Sequence, residues 1–239
     1  MNKAVFLDRD GVINRLIYHQ ESGIIDSPFL VSQFSLLPGV GDTISRLNRL
    51  GYRVIVVTNQ PGIAKNHFSL ETLDEMHRLM HAELRARHAV LDAVYYCPHH
   101  PEGDNLEFRT VCQCRKPAPG LLIRAAKDLD LDLSGCYMVG DSLTDVQAGQ
   151  RAGCRAVLIG KMKCDLCHLM EEQGVKPDAI AGSLAEAVDV IMANWEQPSL
   201  DKVQPALHAE DPGVSSNVSP VCLRGTGCGH DLPVQSSNT

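Results

Sequence analysis

Short runs of apolar, largely β-branched residues alternate along the chain with longer stretches whose apolar positions recur at helical spacing. The short runs are AVFLD (4–8), RVIVVTN (53–59), DAVYYC (92–97), CYMVGD (136–141) and RAVLIG (155–160). Each is almost continuously apolar, the pattern of a strand covered on both faces. The helical stretches carry their own punctuation: Pro38 and Gly39 ahead of 42–50, Ser69 opening 69–88, Pro119 opening 119–130, and Ser183 with Glu186 ahead of 184–195. Thr144 and Gln147 have the spacing of a capping box before 145–152, with Gly153 as its stop. Strands alternating with helices predict an α/β, doubly wound parallel sheet with helices on both faces. After Trp195 the chain turns to Pro, Gly and Ser without an apolar period, so residues 1–195 are expected to form one domain and 196–239 a disordered tail. Neither 12–38 nor 97–117 is long enough to fold alone, and no separate cap domain is expected.

Sheets of this kind bind ligands beyond the carboxyl ends of their strands. Four such ends carry polar or metal-binding groups: Asp8 and Asp10, Thr58 to Gln60, Cys97 to His99, and Asp141. Two carboxylates at i and i+2, followed by Gly11, suit a hard divalent cation such as Mg²⁺. The same Asp-x-Asp-Gly pattern also opens calcium loops and ordinary turns. Its partners change the picture, because VVTNQ adds a hydroxyl and an amide, CRKP adds Lys116, and VGDSLTD adds Asp141 and Asp145. Together they supply a nucleophile, a phosphate-binding hydroxyl, a cation and a metal carboxylate.

A second cluster stands in YYCPHHPEGDNLEFRTVCQCRKP (95–117). Cys97-x-His99, twelve residues, then Cys112-x-Cys114 is a Cys₃His set that closes a tetrahedral structural Zn²⁺ site. Four protein ligands leave no open position, so this metal is expected to order the loop and place Arg115 and Lys116. His100 is a spare ligand beside His99.

Composition narrows the partners. The net charge of −7 argues against a nucleic-acid or anionic-membrane surface and leaves room for a small anionic substrate in a locally cationic cleft. Only four apolar residues precede Asp8, too few for a signal-peptide core, so a cytoplasmic, monomeric protein is expected, with its nine cysteines reduced or bound to metal. CDLCH (164–168) matches a haem-attachment pattern, but an unexported chain with a helix there favours plain thiols. The NVS acceptor at Asn217 and the tail cysteines Cys222 and Cys228 are assigned nothing.

FLDRDG, VVTNQ, RKP and GDSLTD, in that order over residues 5–146, resemble the motifs of the haloacid dehalogenase superfamily of phosphotransferases. The resemblance implies a Rossmann-like core in which Asp8 is the nucleophile, forming a phosphoaspartate, and Asp10 is the general acid/base. It also implies that Asp8, the main-chain carbonyl of Asp10, and Asp141 hold Mg²⁺. Thr58, Asn59, Gln60, Lys116 and Ser142 become expected phosphate or substrate contacts, and Arg115 a contact for a second phosphate. The longer string around the zinc ligands is similar to one branch, the D-glycero-D-manno-heptose 1,7-bisphosphate 7-phosphatases, over residues 4 to about 195. That branch implies a phosphorylated sugar substrate, with Tyr18 and His19 in the 15–23 segment covering it. Members often carry Lys where this chain has Ser142. The sibling histidinol-phosphatase domain, with a shorter loop between ligand pairs, is one alternative; an inactive zinc-stabilised phosphate-binding module is another.

Overall fold

The computed structural model describes residues 3–160 and 164–195. The expected tail at 196–239, with Asn217, Cys222 and Cys228, lies outside the described residues. Among the described residues eight strands and six α-helices follow in the order β1 (Ala4–Leu7), β2 (Ile17–His19), β3 (Ile24–Asp26), α1 (Val40–Arg49), β4 (Arg53–Asn59), α2 (Leu70–Arg85) and β5 (Ala93–Cys97). They continue with α3 (Gly120–Leu129), β6 (Tyr137–Gly140), α4 (Leu143–Ala152), β7 (Arg155–Ile159), α5 (Cys164–Gln173), β8 (Ala179–Ala181) and α6 (Leu184–Trp195). Six strands form one parallel sheet in the order β5-β4-β1-β6-β7-β8. The predicted strand runs all stand in it, and helices cover both faces as expected.

The alternation within each strand decides what each face packs against. Val5 and Leu7 of β1, with Val54 and Val56 of β4, enter a core shared with Ile44 and Leu47 of α1, Met76 and Met80 of α2, and Val188 and Ile191 of α6. Ala4 and Phe6, with Ile55 and Val57, point the opposite way, onto Leu121 and Leu122 of α3 and Ala148 of α4. Every residue of β1 is fully buried. At roughly 1.5–3 kcal/mol for each large apolar side chain removed from water, the central strand is a strongly fixed element. That rigidity is what holds the residues after Leu7.

Between β1 and α1 the chain makes a tight turn and then a small antiparallel hairpin, β2–β3. The turn is set by Ile13 and Asn14 donating to the Arg9 carbonyl at 2.8 and 3.0 Å, and by Gly11 donating to the Asn14 carbonyl at 2.9 Å. Among the described residues no helix is long and apolar enough to cross a membrane.

One local expectation is corrected. The N-cap of α4 is Ser142, not Thr144, because Asp145 rather than Gln147 reaches back to the cap: its Oδ2 accepts from the Ser142 N–H at 3.1 Å. Gln147 is instead on the exposed side, directed at Gln173.

Candidate active site and metal centre

The first residue beyond β1 is Asp8, whose N–H donates to the Val139 carbonyl at 3.0 Å and so ties the end of β1 to β6. Its carboxylate keeps 13% of its surface exposed, enough to be reached from the cleft. Beside it, Lys116 is almost completely buried: its ammonium donates to the Val57 carbonyl at 2.9 Å and pairs with Asp8 Oδ1 at 2.9 Å and Asp145 Oδ1 at 2.5 Å. Burial lowers the proton affinity of this lysine, but the charges of Asp145 and Asp8 outweigh it and the net direction is up, so it stays an ammonium.

One ammonium does not neutralise the carboxylates around it. Burial pushes Asp8 up to about 7, with Lys116 opposing and Asp145 and Asp10 adding to the rise. Burial likewise pushes Asp141 up to about 6, with the Asp145 charge reinforcing it. Oxygens of Asp8, Asp141 and Asp145 lie within 4.8 Å of one another, a hard-donor set with excess negative charge that fits Mg²⁺. Backbone shape permits this crowding. Gly11 sits at φ +80°, and a Cβ there would overlap the Asp141 carboxylate; a Cβ on Gly140 would meet that of Asp145.

The Asp10 carboxylate is held apart from that set. It accepts from Arg9 at 3.0 Å on each oxygen, from Asn14 Nδ2 at 2.9 Å on Oδ1 and from Gln60 Nε2 at 2.7 Å on Oδ2. Gln60 also donates to Thr58 Oγ1 at 2.9 Å, which leaves the Thr58 hydroxyl hydrogen available to another acceptor.

Three expected substrate contacts bond within the protein. Asn59 clamps the main chain of Lys116, accepting from its N–H at 3.0 Å and donating to its carbonyl at 3.1 Å. Gln60 is fully buried, with both ends of its amide bonded to Arg9, Asp10 and Thr58. The Ser142 hydroxyl donates to Asp145 Oδ2 at 2.6 Å, and Ser142 caps α4. The reason is common to all three: polar groups at buried strand ends must satisfy one another first. Sequence reasoning missed Arg9, Asn14 and His77, which carry no motif signal beyond lying in or near DRDG, and left Asp145 without a role.

The second cluster assembles as the spacing required. Cys97 ends β5, and Cys112 and Cys114 return on the loop before α3. The sulfur–sulfur distances are 3.5, 3.3 and 3.1 Å, and His99 Nδ1 lies 3.6 Å from Cys97 Sγ and 3.4 Å from Cys114 Sγ. Four soft or borderline donors around one point form a site able to hold a metal ion. Burial raises the Cys97 and Cys114 thiols, whereas hydrogen bonds from Cys114 and Cys97 bring Cys112 below its ordinary value against the effect of burial. His100 lies outside the four-donor group, and its Nδ1 accepts from the Glu102 N–H at 3.1 Å. Arg115 is half-buried beside the cluster, with Nη1 donating to the His99 carbonyl at 3.4 Å. At the hairpin, Tyr18 is exposed and His19 stacks on Phe29 at 3.7 Å; both line a cavity of about 690 Å³ that also includes His67.

Comparison with known proteins places this geometry. Residues 113–187 match the HAD-hydrolase-like family profile. The chain is 45% identical over 149 residues to the D-glycero-beta-D-manno-heptose-1,7-bisphosphate 7-phosphatase of Salmonella typhi, covering 62% of this chain and 75% of that protein. It is 35% identical over 194 residues to the enzyme of the same name from Yersinia pestis, covering 81% and 97%. The D,D-heptose 1,7-bisphosphate phosphatase of B. bronchiseptica, solved with magnesium and phosphate, superposes with a TM-score of 0.65 at 32% identity, over 81% of this chain and 99% of that one. Acidic strand ends, a buried lysine and near full-length similarity agree, and the chain belongs to the D-glycero-beta-D-manno-heptose-1,7-bisphosphate 7-phosphatase family of HAD-like hydrolases.

Proposed function

We propose that this chain is a Mg²⁺-dependent phosphatase that removes the 7-phosphate of D-glycero-β-D-manno-heptose 1,7-bisphosphate through a phosphoaspartate on Asp8. The observation that carries the reading is the sealed Lys116 ammonium against Asp8, beside Asp141 and Asp145, in a chain aligned with nearly the whole of a relative of that name. Asp8, the main-chain carbonyl of Asp10, and Asp141 would hold Mg²⁺, which would neutralise charge on the transferring phosphoryl group. Asp8 attacks phosphorus. The Thr58 hydroxyl binds an equatorial oxygen, and the buried Lys116 ammonium offsets charge through its contact with Asp8, an electrostatic contribution strengthened by burial. Asp10 gives its proton to the departing sugar alkoxide, then takes one from the water that opens the aspartyl phosphate. Asp145 holds Lys116 in line and is itself held by Ser142.

The Cys97, His99, Cys112 and Cys114 cluster is assigned to a structural zinc. Its donor set is full, and the next two residues, Arg115 and Lys116, are the ones the loop delivers to the cleft. Arg115 keeps free donors for the phosphate at C1, and the hairpin bearing Tyr18 and His19 covers the sugar. The deciding assay measures Mg²⁺-dependent phosphate release from the α and β anomers of the heptose bisphosphate, histidinol phosphate and fructose bisphosphate. Preference for the β heptose bisphosphate is expected. Faster turnover of histidinol phosphate overturns the substrate, and no turnover of any ester overturns the enzyme.

A further inference from the structure

Arg9 is the largest side chain with no exposed surface in the described protein, whereas Asp10 next to it keeps 12% of its side chain open. A guanidinium cannot be deprotonated under working conditions, and sealing one away from water carries a large desolvation penalty unless its donors are met. Here they are met by three residues from separate parts of the fold. Nη2 donates to both oxygens of Asp10 at 3.0 Å and to Gln60 Oε1 at 3.0 Å, and Nε lies 3.3 Å from Asp10 Oδ1. Nη1 stands 3.4 Å from His77 Nε2, on the buried side of α2. Because arginine only donates, that histidine nitrogen accepts, which fixes the ring as the Nδ1–H tautomer. Burial, followed by the charge of Arg9, pushes the His77 imidazole down to about 3, so it remains a neutral acceptor.

Gln60 closes the arrangement: its Oε1 takes Arg9 while its Nε2 gives to Asp10, so the amide cannot turn over without losing both bonds. The Asp10 carboxylate is thereby fixed in rotation as well as in position, although Arg9 has no surface through which to meet a substrate. We infer that Arg9 is a positioning residue for the reaction: braced by Gln60 and His77, it holds the Asp10 carboxylate in the orientation from which Asp10 serves the leaving group. The inference rests on Asp10 being the proton donor to that group.

The test compares leaving groups. A sugar alkoxide needs a proton to depart, whereas p-nitrophenolate leaves without one, so loss of a well-aimed acid slows the sugar ester selectively. With Mg²⁺ saturating, kcat/KM is measured for the heptose bisphosphate and for p-nitrophenyl phosphate in the full-length wild type, Arg9→Lys and His77→Leu. Arg9→Lys keeps the charge but not the fork; it is expected to lose at least about 10-fold more on the sugar ester than on the aryl ester, in kcat rather than KM. His77→Leu, which leaves Arg9 in place without its brace, is expected to shift the same ratio by about 3-fold. Guanidinium ion added to Arg9→Ala is expected to restore part of the sugar-ester rate. Equal losses on both esters, or an unchanged ratio in Arg9→Lys, overturn the inference; should the Arg9 variants not fold, the His77→Leu ratio decides it alone. If wild type prefers another alkyl phosphate, the substrate assignment fails and the same ratio is read on that ester.

Discussion

Burial raises Asp8 to about 7 and Asp141 to about 6, so both carboxylates are costly to ionise in the folded protein without a compensating cation. A carboxyl whose proton affinity rises on folding stabilises the native state while protonated and withdraws that stability as pH rises toward its folded value. For Asp8, moving from 3.8 to about 7, and Asp141, moving from 3.8 to about 6, the window runs from about pH 4 to about pH 7. In the absence of Mg²⁺, Asp8→Asn should therefore lose less stability than wild type over that window. At pH 8 it should be the more stable protein by on the order of 2 kcal/mol, since each tenfold change in proton affinity is worth about 1.4 kcal/mol and the lost contact with Lys116 offsets part. Added Mg²⁺ should reverse the order. Urea midpoints at several pH values, with and without the ion, measure this, and a metal-free variant no more stable than wild type at pH 8 contradicts it. The same substitution should lower kcat by at least about 10⁴-fold, since it removes the group that forms the covalent bond. Asp8 and Asp141 were legible because carboxylates are unusual at the end of an apolar strand, and Lys116 because it stands with Arg115 directly after the cysteine pair. Arg9 and His77 were not, because their roles arise from burial and from neighbours 51 and 68 residues away in sequence.

Helix α4 shows how an element's stability and the site's geometry share the same atoms. Ser142 caps the helix and also holds the carboxylate that aims Lys116. Ser142→Ala should cost about 1 kcal/mol of stability, the usual size of a lost cap. It should also lower kcat several-fold with little change in KM, because Asp145 Oδ2 loses its 2.6 Å hydroxyl donor and keeps only the main-chain N–H of residue 142. Gln147→Ala, at the position the sequence suggested for the capping box, should change stability by less than about 0.5 kcal/mol. Thermal melts and steady-state kinetics on the two variants separate the cases, and equal effects would return the cap to Thr144 and Gln147. The expectation went astray because two overlapping S/T-x-x-D/Q patterns, Ser142 with Asp145 and Thr144 with Gln147, fit the same helix start. Burial of Asp145, invisible in sequence, chose between them. The long strands were legible from continuous apolar runs. The three-residue strands β2, β3 and β8 were not, since three residues are too few to display a period.

At the scale of the molecule, the sheet order explains how the Cys₃His cluster at an edge connects to the acidic set at the centre. The sequence gives strands in succession but not their neighbours; the order β5-β4-β1-β6-β7-β8 comes from which crossovers turn left or right of β1. The cleft lies where the order reverses, at the ends of β4, β1 and β6. The Cys₃His cluster hangs from β5, the edge strand, and its loop returns to the centre through the two bonds between Asn59 and the Lys116 main chain. The cluster and the acidic set should thus be separable in binding but not in function. Mild chelation should remove Mg²⁺ and activity together, and Mg²⁺ alone should restore both. Cys112→Ser should reduce zinc from about one to well under one per chain, lower the melting temperature by several degrees, and cut kcat at least about 10-fold at saturating Mg²⁺. The decisive comparison is Cys112→Ser with its zinc content measured: if the zinc-free protein turns over at the wild-type rate, the loop does not depend on the metal to deliver Lys116, and the coupling between edge and centre is carried by Asn59 alone.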